Sequence, residues 1–184
     1  MVALDGSESA EKAADYGLVI TKGLNAELIA IHAVRTEDVL FETHNMLTDI
    51  ETVTTGDPLL QKIKEDAQRW FNNIKEKSSA NGIPIRTGLV ISPTEIEDTI
   101  VDYADRENVD LVVIGGGKSR LKERLLGSTT SRVASQIKRP ILVAVFLLFF
   151  LFFLAIVSDL GLPFRNNTFN LLDGVYVLLI DKTV

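Results

Sequence analysis

Asp110-Leu-Val-Val-Ile-Gly-Gly-Gly117 runs four apolar residues straight into three glycines. An apolar run of this kind, with no polar alternation, suits a strand covered on both faces, as in a parallel sheet flanked by helices. The glycines let the backbone turn sharply and bring N–H groups near an anion, because no Cβ blocks the approach. Downstream, Gly127-Ser-Thr-Thr130 opens a helix expected over 128–137. Its first N–H groups lack intrahelical acceptors and carry the positive end of the helix dipole, which suits a phosphate. On spacing alone, a tight turn followed by an ordinary capped helix fits as well.

Outward from this junction, strands and helices alternate. Val2-Ala-Leu4 reads as strand one, with Asp5-Gly6 as its turn. Ser7 can cap a helix from about Glu8 to Gly23, in which Ala10, Ala13, Ala14, Gly17 and Leu18 recur at helical spacing. These small residues let the helix sit close to a sheet. Ala26 to Val34 is a second buried strand, and residues 35–57 read as a polar loop. Leu60, Ile63, Ala67, Trp70, Phe71 and Ile74 mark one face of a helix over 58–80, stopped at Asn81-Gly82. A strand over 83–91, a helix carrying Ile96, Ile100 and Ala104, the 110–115 strand, the 128–137 helix and a fifth strand over 140–145 complete the order. The alternation predicts an α/β domain with a parallel sheet and right-handed crossovers, its ligand site outside the carboxyl ends of the strands.

Composition narrows the function. The chain of 184 residues has 46% hydrophobic and 24% charged residues, as globular domains do, so one core is affordable. A net charge of −6 is repelled by a phosphate backbone, so nucleic acid is not an expected partner. The sequence holds no cysteine, which excludes disulfides and thiolate metal sites and agrees with a reducing compartment. The first residues lack the pattern of a secretory signal, and the expected location is cytoplasmic.

Two nucleotide motifs fail on single residues. A P-loop ending at Gly117-Lys118-Ser119 would need glycine at position 112, which is Val112, and G-x-G-x-x-G started at Gly115 meets Arg120 in its last place. Four separated segments instead carry a resemblance: Val2-Ala-Leu-Asp-Gly-Ser-Glu-Ser-Ala10, Ile31-His-Ala-Val34, Asp110 to Gly115, and Arg124-Leu-Leu-Gly-Ser-Thr-Thr130 with Lys138-Arg-Pro-Ile-Leu-Val143. In this order they make residues 1–145 similar to the universal stress protein family, and to its ATP-binding type. The signature of that type, G-x2-G-x9-G-[ST], is met by Gly117, Gly127 and Ser128, whereas its first glycine falls on Ile114, leaving Gly115 to serve one residue later.

The resemblance implies a five-stranded parallel sheet of the Rossmann-like adenine-nucleotide type, in the order 3-2-1-4-5. It also implies a homodimer through strand five, and a stress-response regulator or sensor that binds ATP with little turnover. Ala3, Asp5 and Ala33 would contact adenosine. Gly115, Gly117 and Lys118 would line the phosphates, and Gly127, Ser128 and Thr129 would donate hydrogen bonds to them. Mg2+ could bridge the phosphate oxygens. A slow ATP hydrolase and a dimer module that binds no nucleotide are the alternatives. No catalytic residue or protein metal ligand is assigned. His32, inside an apolar strand, reads as a satisfied core histidine.

Residues 146–184 form a separate hydrophobic extension. Seven of the nine phenylalanines lie at or after Phe146. Once strand five has taken its share, the apolar run 146–157 is too short to cross a bilayer, so a buried or membrane-surface segment is expected over a span. It should pack at the strand-five edge, helped by the strand-like Val175-Tyr-Val-Leu-Leu-Ile180. Deleting it should change oligomeric state and leave nucleotide binding intact.

Overall fold

The computed structural model describes residues 1–39, 58–117, 126–146 and 175–180. Strand β1 (Val2–Ala3) leads to helix α1 (Glu8–Leu24) and strand β2 (Leu28–Arg35). Helix α2 (Pro58–Ala80), strand β3 (Ile85–Ser92), helix α3 (Ile96–Arg106), strand β4 (Val112–Gly115) and helix α4 (Ser128–Gln136) follow. Strands β5 (Ile141–Phe146) and β6 (Val175–Ile180) close the order.

The sheet runs β3-β2-β1-β4-β5-β6. Its first five strands are parallel in the expected order, with Val2 opposite both Ala30 of β2 and Val113 of β4. The sixth is an addition from the extension, antiparallel to β5 with Ile141 opposite Ile180 and Phe146 opposite Val175. β6 thus occupies the outer edge of β5, where the resemblance placed a second copy.

Helices cover both faces. On one, Ala10, Ala13, Ala14 and Leu18 of α1 and Ala67, Phe71 and Ile74 of α2 pack with Val2, Leu28 and Val113. On the other, Ile100 and Ala104 of α3 and Val133 and Ala134 of α4 pack with Ile31, Val112 and Val143. Each large side chain buried this way contributes about 1.5–3 kcal/mol, so the continuous apolar strands are what hold both helix layers.

Some boundaries moved for local reasons. β3 begins at Ile85 because Ile83 belongs to the stop of α2: its N–H reaches the Ser78 carbonyl at 3.0 Å and its own carbonyl accepts the Ser78 hydroxyl at 2.7 Å. Gly82 makes that turn at φ +66°. Arg35, read as the start of a loop, ends β2, and residues 36–39 are helical. Among the described residues no helix is long and apolar enough to cross a membrane. The run 147–157 lies outside them.

Candidate functional site

The carboxyl ends of β1, β2 and β4 meet the amino ends of α1, α3 and α4 around a cleft of about 350 Å3. β1 delivers Ala3, Leu4 and Asp5 to it, and β2 delivers His32 and Ala33. β4 and its loop deliver Gly115 and Gly117, and α4 delivers Gly127, Ser128 and Thr129. Every site residue proposed from the sequence therefore lines one cavity, apart from Lys118, which lies outside the described residues.

The glycine loop is fixed by backbone bonds. The Gly116 N–H donates to the Ala144 carbonyl of β5 at 2.6 Å, and the Gly127 N–H donates to the Gly116 carbonyl at 2.7 Å. Gly117 takes φ +78°, and a Cβ there would stand 3.1 Å from the Gly127 Cα. Gly115 is tighter, since its Cβ would meet the Ser9 carbonyl carbon at 2.6 Å. Its carbonyl accepts the buried Thr130 hydroxyl at 2.7 Å, pinning the start of α4 to the end of β4.

That helix start is open. Gly127 is the N-cap, with extended backbone and no side-chain cap hydrogen bond. By contrast α1 is capped by Ser7, whose hydroxyl accepts the Ala10 N–H at 3.2 Å. The α4 terminus accordingly offers N–H groups and the positive dipole end to the cleft, which is the arrangement an anion needs.

Asp5 closes the opposite wall, where its Oδ1 accepts the Ser7 N–H at 2.9 Å. Next to it Gly6 sits at φ +72°, and a Cβ there would fall 2.3 Å from Cζ2 of Trp70. Trp70 is the sole tryptophan of the chain. Gly6→Ala should then cost about 1–2 kcal/mol through the left-handed backbone alone and push the indole aside. The intrinsic emission of the folded protein should shift, and an unchanged spectrum would refute the contact.

His32 is half-buried in the cleft wall. Its Nδ1 lies 2.7 Å from the Leu4 carbonyl, which can only accept, so this nitrogen carries the proton. Its ring meets Trp70 edge-on, with centroids 4.9 Å apart. Burial lowers its pKa, outweighing the Leu4 hydrogen bond and the charge of Asp5, which act the other way. The unfolded chain then binds more protons than the folded one as pH falls through the ordinary histidine range, and stability falls with it. The thermal midpoint should drop between pH 7 and about 5.5, and drop less in His32→Asn. Equal slopes would contradict this.

The sequence did not disclose the α3 wall or its ion pairs. Ile96 and Ile100 line the cleft, although their spacing reads as plain core packing. Beside them, Arg132 of α4 pairs with Glu97 of α3 at 2.5 Å, and Arg35 pairs with Glu95 at 3.0 Å. Burial of Glu97 opposes its charge, but the hydrogen bond and charge of Arg132, together with a backbone hydrogen bond and the charge of Arg35, hold the carboxyl below the usual range. Among the described residues no cluster of three or more His, Asp or Glu could hold a metal ion by itself.

A model of the universal stress protein family matches residues 1–144. The chain belongs to that family. Universal stress protein YxiE of Bacillus subtilis is 32% identical over 146 residues, covering 78% of this chain and 95% of its own length. Universal stress protein MJ0531 of Methanocaldococcus jannaschii is 28% identical over 144 residues, covering 78% and 79%. Among solved structures, MJ0577 superposes with a TM-score of 0.58 at 28% identity, over 77% of this chain and 90% of that one. A universal stress protein in complex with cAMP superposes at 0.53 with 26% identity, over 77% and 91%. The family model ends at residue 144, before the extension of this universal stress protein.

Proposed function

We propose that this universal stress protein binds an adenine nucleotide, ATP foremost, in the cleft between Asp5 and the α4 terminus, and acts as a stress-response regulator with little turnover. The observation that carries the reading is the uncapped amino end of α4 facing Gly115 and Gly117 across one cavity. The cAMP complex of a relative supports an adenine ligand for this fold. In this reading the base and ribose lie against Ala3, Asp5 and Ala33. The phosphates lie on the N–H groups of Ser128 and Thr129, with Gly115, Gly117 and Lys118 around them. Mg2+ fits as an ion carried mainly by phosphate oxygens, with Asp5 as the one carboxylate of the described lining. When bound it would neutralise phosphate charge.

Regulation then follows from binding itself. A nucleotide that prefers one conformer shifts the population toward it and so toward a partner. The described lining carries one carboxylate, held by Ser7, and one imidazole, held by Leu4. Each keeps an acceptor lone pair, so the passive reading rests on the described lining bringing no further carboxylate or imidazole beside them. Turnover should therefore stay far below the roughly 1–100 s⁻¹ of kinases. Phosphate release that is rapid, and lost in Asp5→Asn or Lys118→Ala, would overturn the passive reading. Mass spectrometry of the denatured, purified protein should detect a stoichiometric adenine nucleotide, and a clean apoprotein that takes up none would refute the proposal. We further propose that residues 1–145 are the nucleotide-binding domain and that the protein works in the cytoplasm.

A further inference from the structure

The outer edge of β5 is fully used by β6. The Ala144 carbonyl accepts the Gly116 N–H and the Pro140 carbonyl accepts that of Val112, so even-numbered residues here turn their backbone groups toward β4. Backbone groups alternate sides along a strand, so Ile141, Val143 and Val145 turn theirs toward β6. The register then makes Ile141 with Ile180, Val143 with Leu178 and Val145 with Tyr176 the hydrogen-bonded pairs. Leu142 with Leu179, Ala144 with Val177 and Phe146 with Val175 are the non-hydrogen-bonded ones. On β6, the N–H groups of Val175, Val177 and Leu179 face away from the sheet.

Without β6, β5 would be an edge of six apolar residues with no charge and no proline, a template for another chain. The direction of pairing selects which chain. Every other pair in the sheet is parallel and needs a crossover, whereas β5 meets β6 antiparallel. A two-fold axis lays a strand antiparallel to its own copy, so the outward groups of β5 are already set for the β5 of a second molecule. A strand of the same chain competes intramolecularly, which favours it over a second copy at micromolar concentration.

We propose that Val175–Ile180 is an intramolecular cover over a self-association edge. Seated, it keeps the chain monomeric. Displaced, it lets two copies join β5 to β5 in one continuous sheet, one hydrogen bond from the glycine loop.

The test uses the full chain. Leu178→Pro removes an N–H that faces β5, while Val177→Pro removes one that faces outward and serves as the control. In sedimentation at micromolar concentration the wild type and Val177→Pro should be monomers, and folded Leu178→Pro a dimer. A dimeric wild type, a dimer lost in Val177→Pro, or a folded Leu178→Pro that stays monomeric would each overturn the proposal. Should Leu178→Pro fail to fold, a second measurement decides. The native chain has no cysteine, and Phe146→Cys with Val175→Cys places two thiols at a close, non-hydrogen-bonded pair. Mild oxidation should give an intrachain disulfide in a monomer. An interchain disulfide, or none, would overturn the idea.

Discussion

Gly115→Ala should destabilise the fold before it touches any ligand. The new Cβ would stand 2.6 Å from the Ser9 carbonyl carbon and 2.7 Å from both the Ala10 nitrogen and the Ser9 oxygen. All three are backbone atoms of the first turn of α1, so no rotamer change relieves them. Either α1 lifts from the sheet or β4 retreats, and the Thr130 bond to the Gly115 carbonyl is strained with it. Overpacking of this kind costs about 1–3 kcal/mol, and a chain of this length loses about 2–4 °C of melting temperature per kcal/mol. Calorimetric melting without nucleotide is the measurement. An unchanged midpoint would mean that α1 and β4 do not approach as described. Gly115 was read from the sequence as a phosphate-lining residue, and the close approach adds a packing reason for it.

Gly127 gives a graded effect on binding instead. Its Cβ would stand 3.4 Å from the Gly117 Cα and 3.5 Å from the Gly116 oxygen, ordinary contacts, and its φ of −64° suits any residue. Gly127→Ala should therefore fold and keep most of its affinity. Gly127→Leu extends branched carbons from a Cβ beside Gly116 and Gly117 into the glycine-loop rim of the cleft, where the proposed phosphates reach the N–H groups of Ser128 and Thr129. Loss of those charge-assisted bonds should weaken ATP at least about 100-fold, roughly 2.7 kcal/mol. Comparable affinity in the leucine variant would place the phosphates elsewhere. The two glycines separate cleanly, one failing in stability and the other in binding.

The parallel strands were legible because continuous apolar runs such as Leu111 to Ile114 have few other uses, and helix α2 because its apolar stripe is long. The cleft was legible to the extent that it is built from backbone: Gly117, Gly127 and the start of α4 announce themselves by composition. The α3 wall was not. Ile96 and Ile100 carry the same spacing whether they face a core or a cavity, and only the crossover geometry puts them at the cleft. Asp5-Gly6 reads as a turn, yet nothing local says that Trp70 covers it from a helix far along the chain. His32 reads as a satisfied core histidine; the Leu4 carbonyl does satisfy it, but the ring is half-buried in the cleft wall, because its place depends on which side of β2 meets β1. The apolar Val175 to Ile180 could be read as a strand near β5, but a periodic pattern names neither its direction nor its register.

Whether the cleft between Asp5 and the α4 terminus holds an adenine nucleotide is decided by isothermal titration of ATP with Mg2+ into the folded wild-type protein. Saturable one-to-one binding is expected, weakened at least about 100-fold in Gly127→Leu. No heat beyond dilution from the folded wild type with ATP, AMP or cAMP would contradict it.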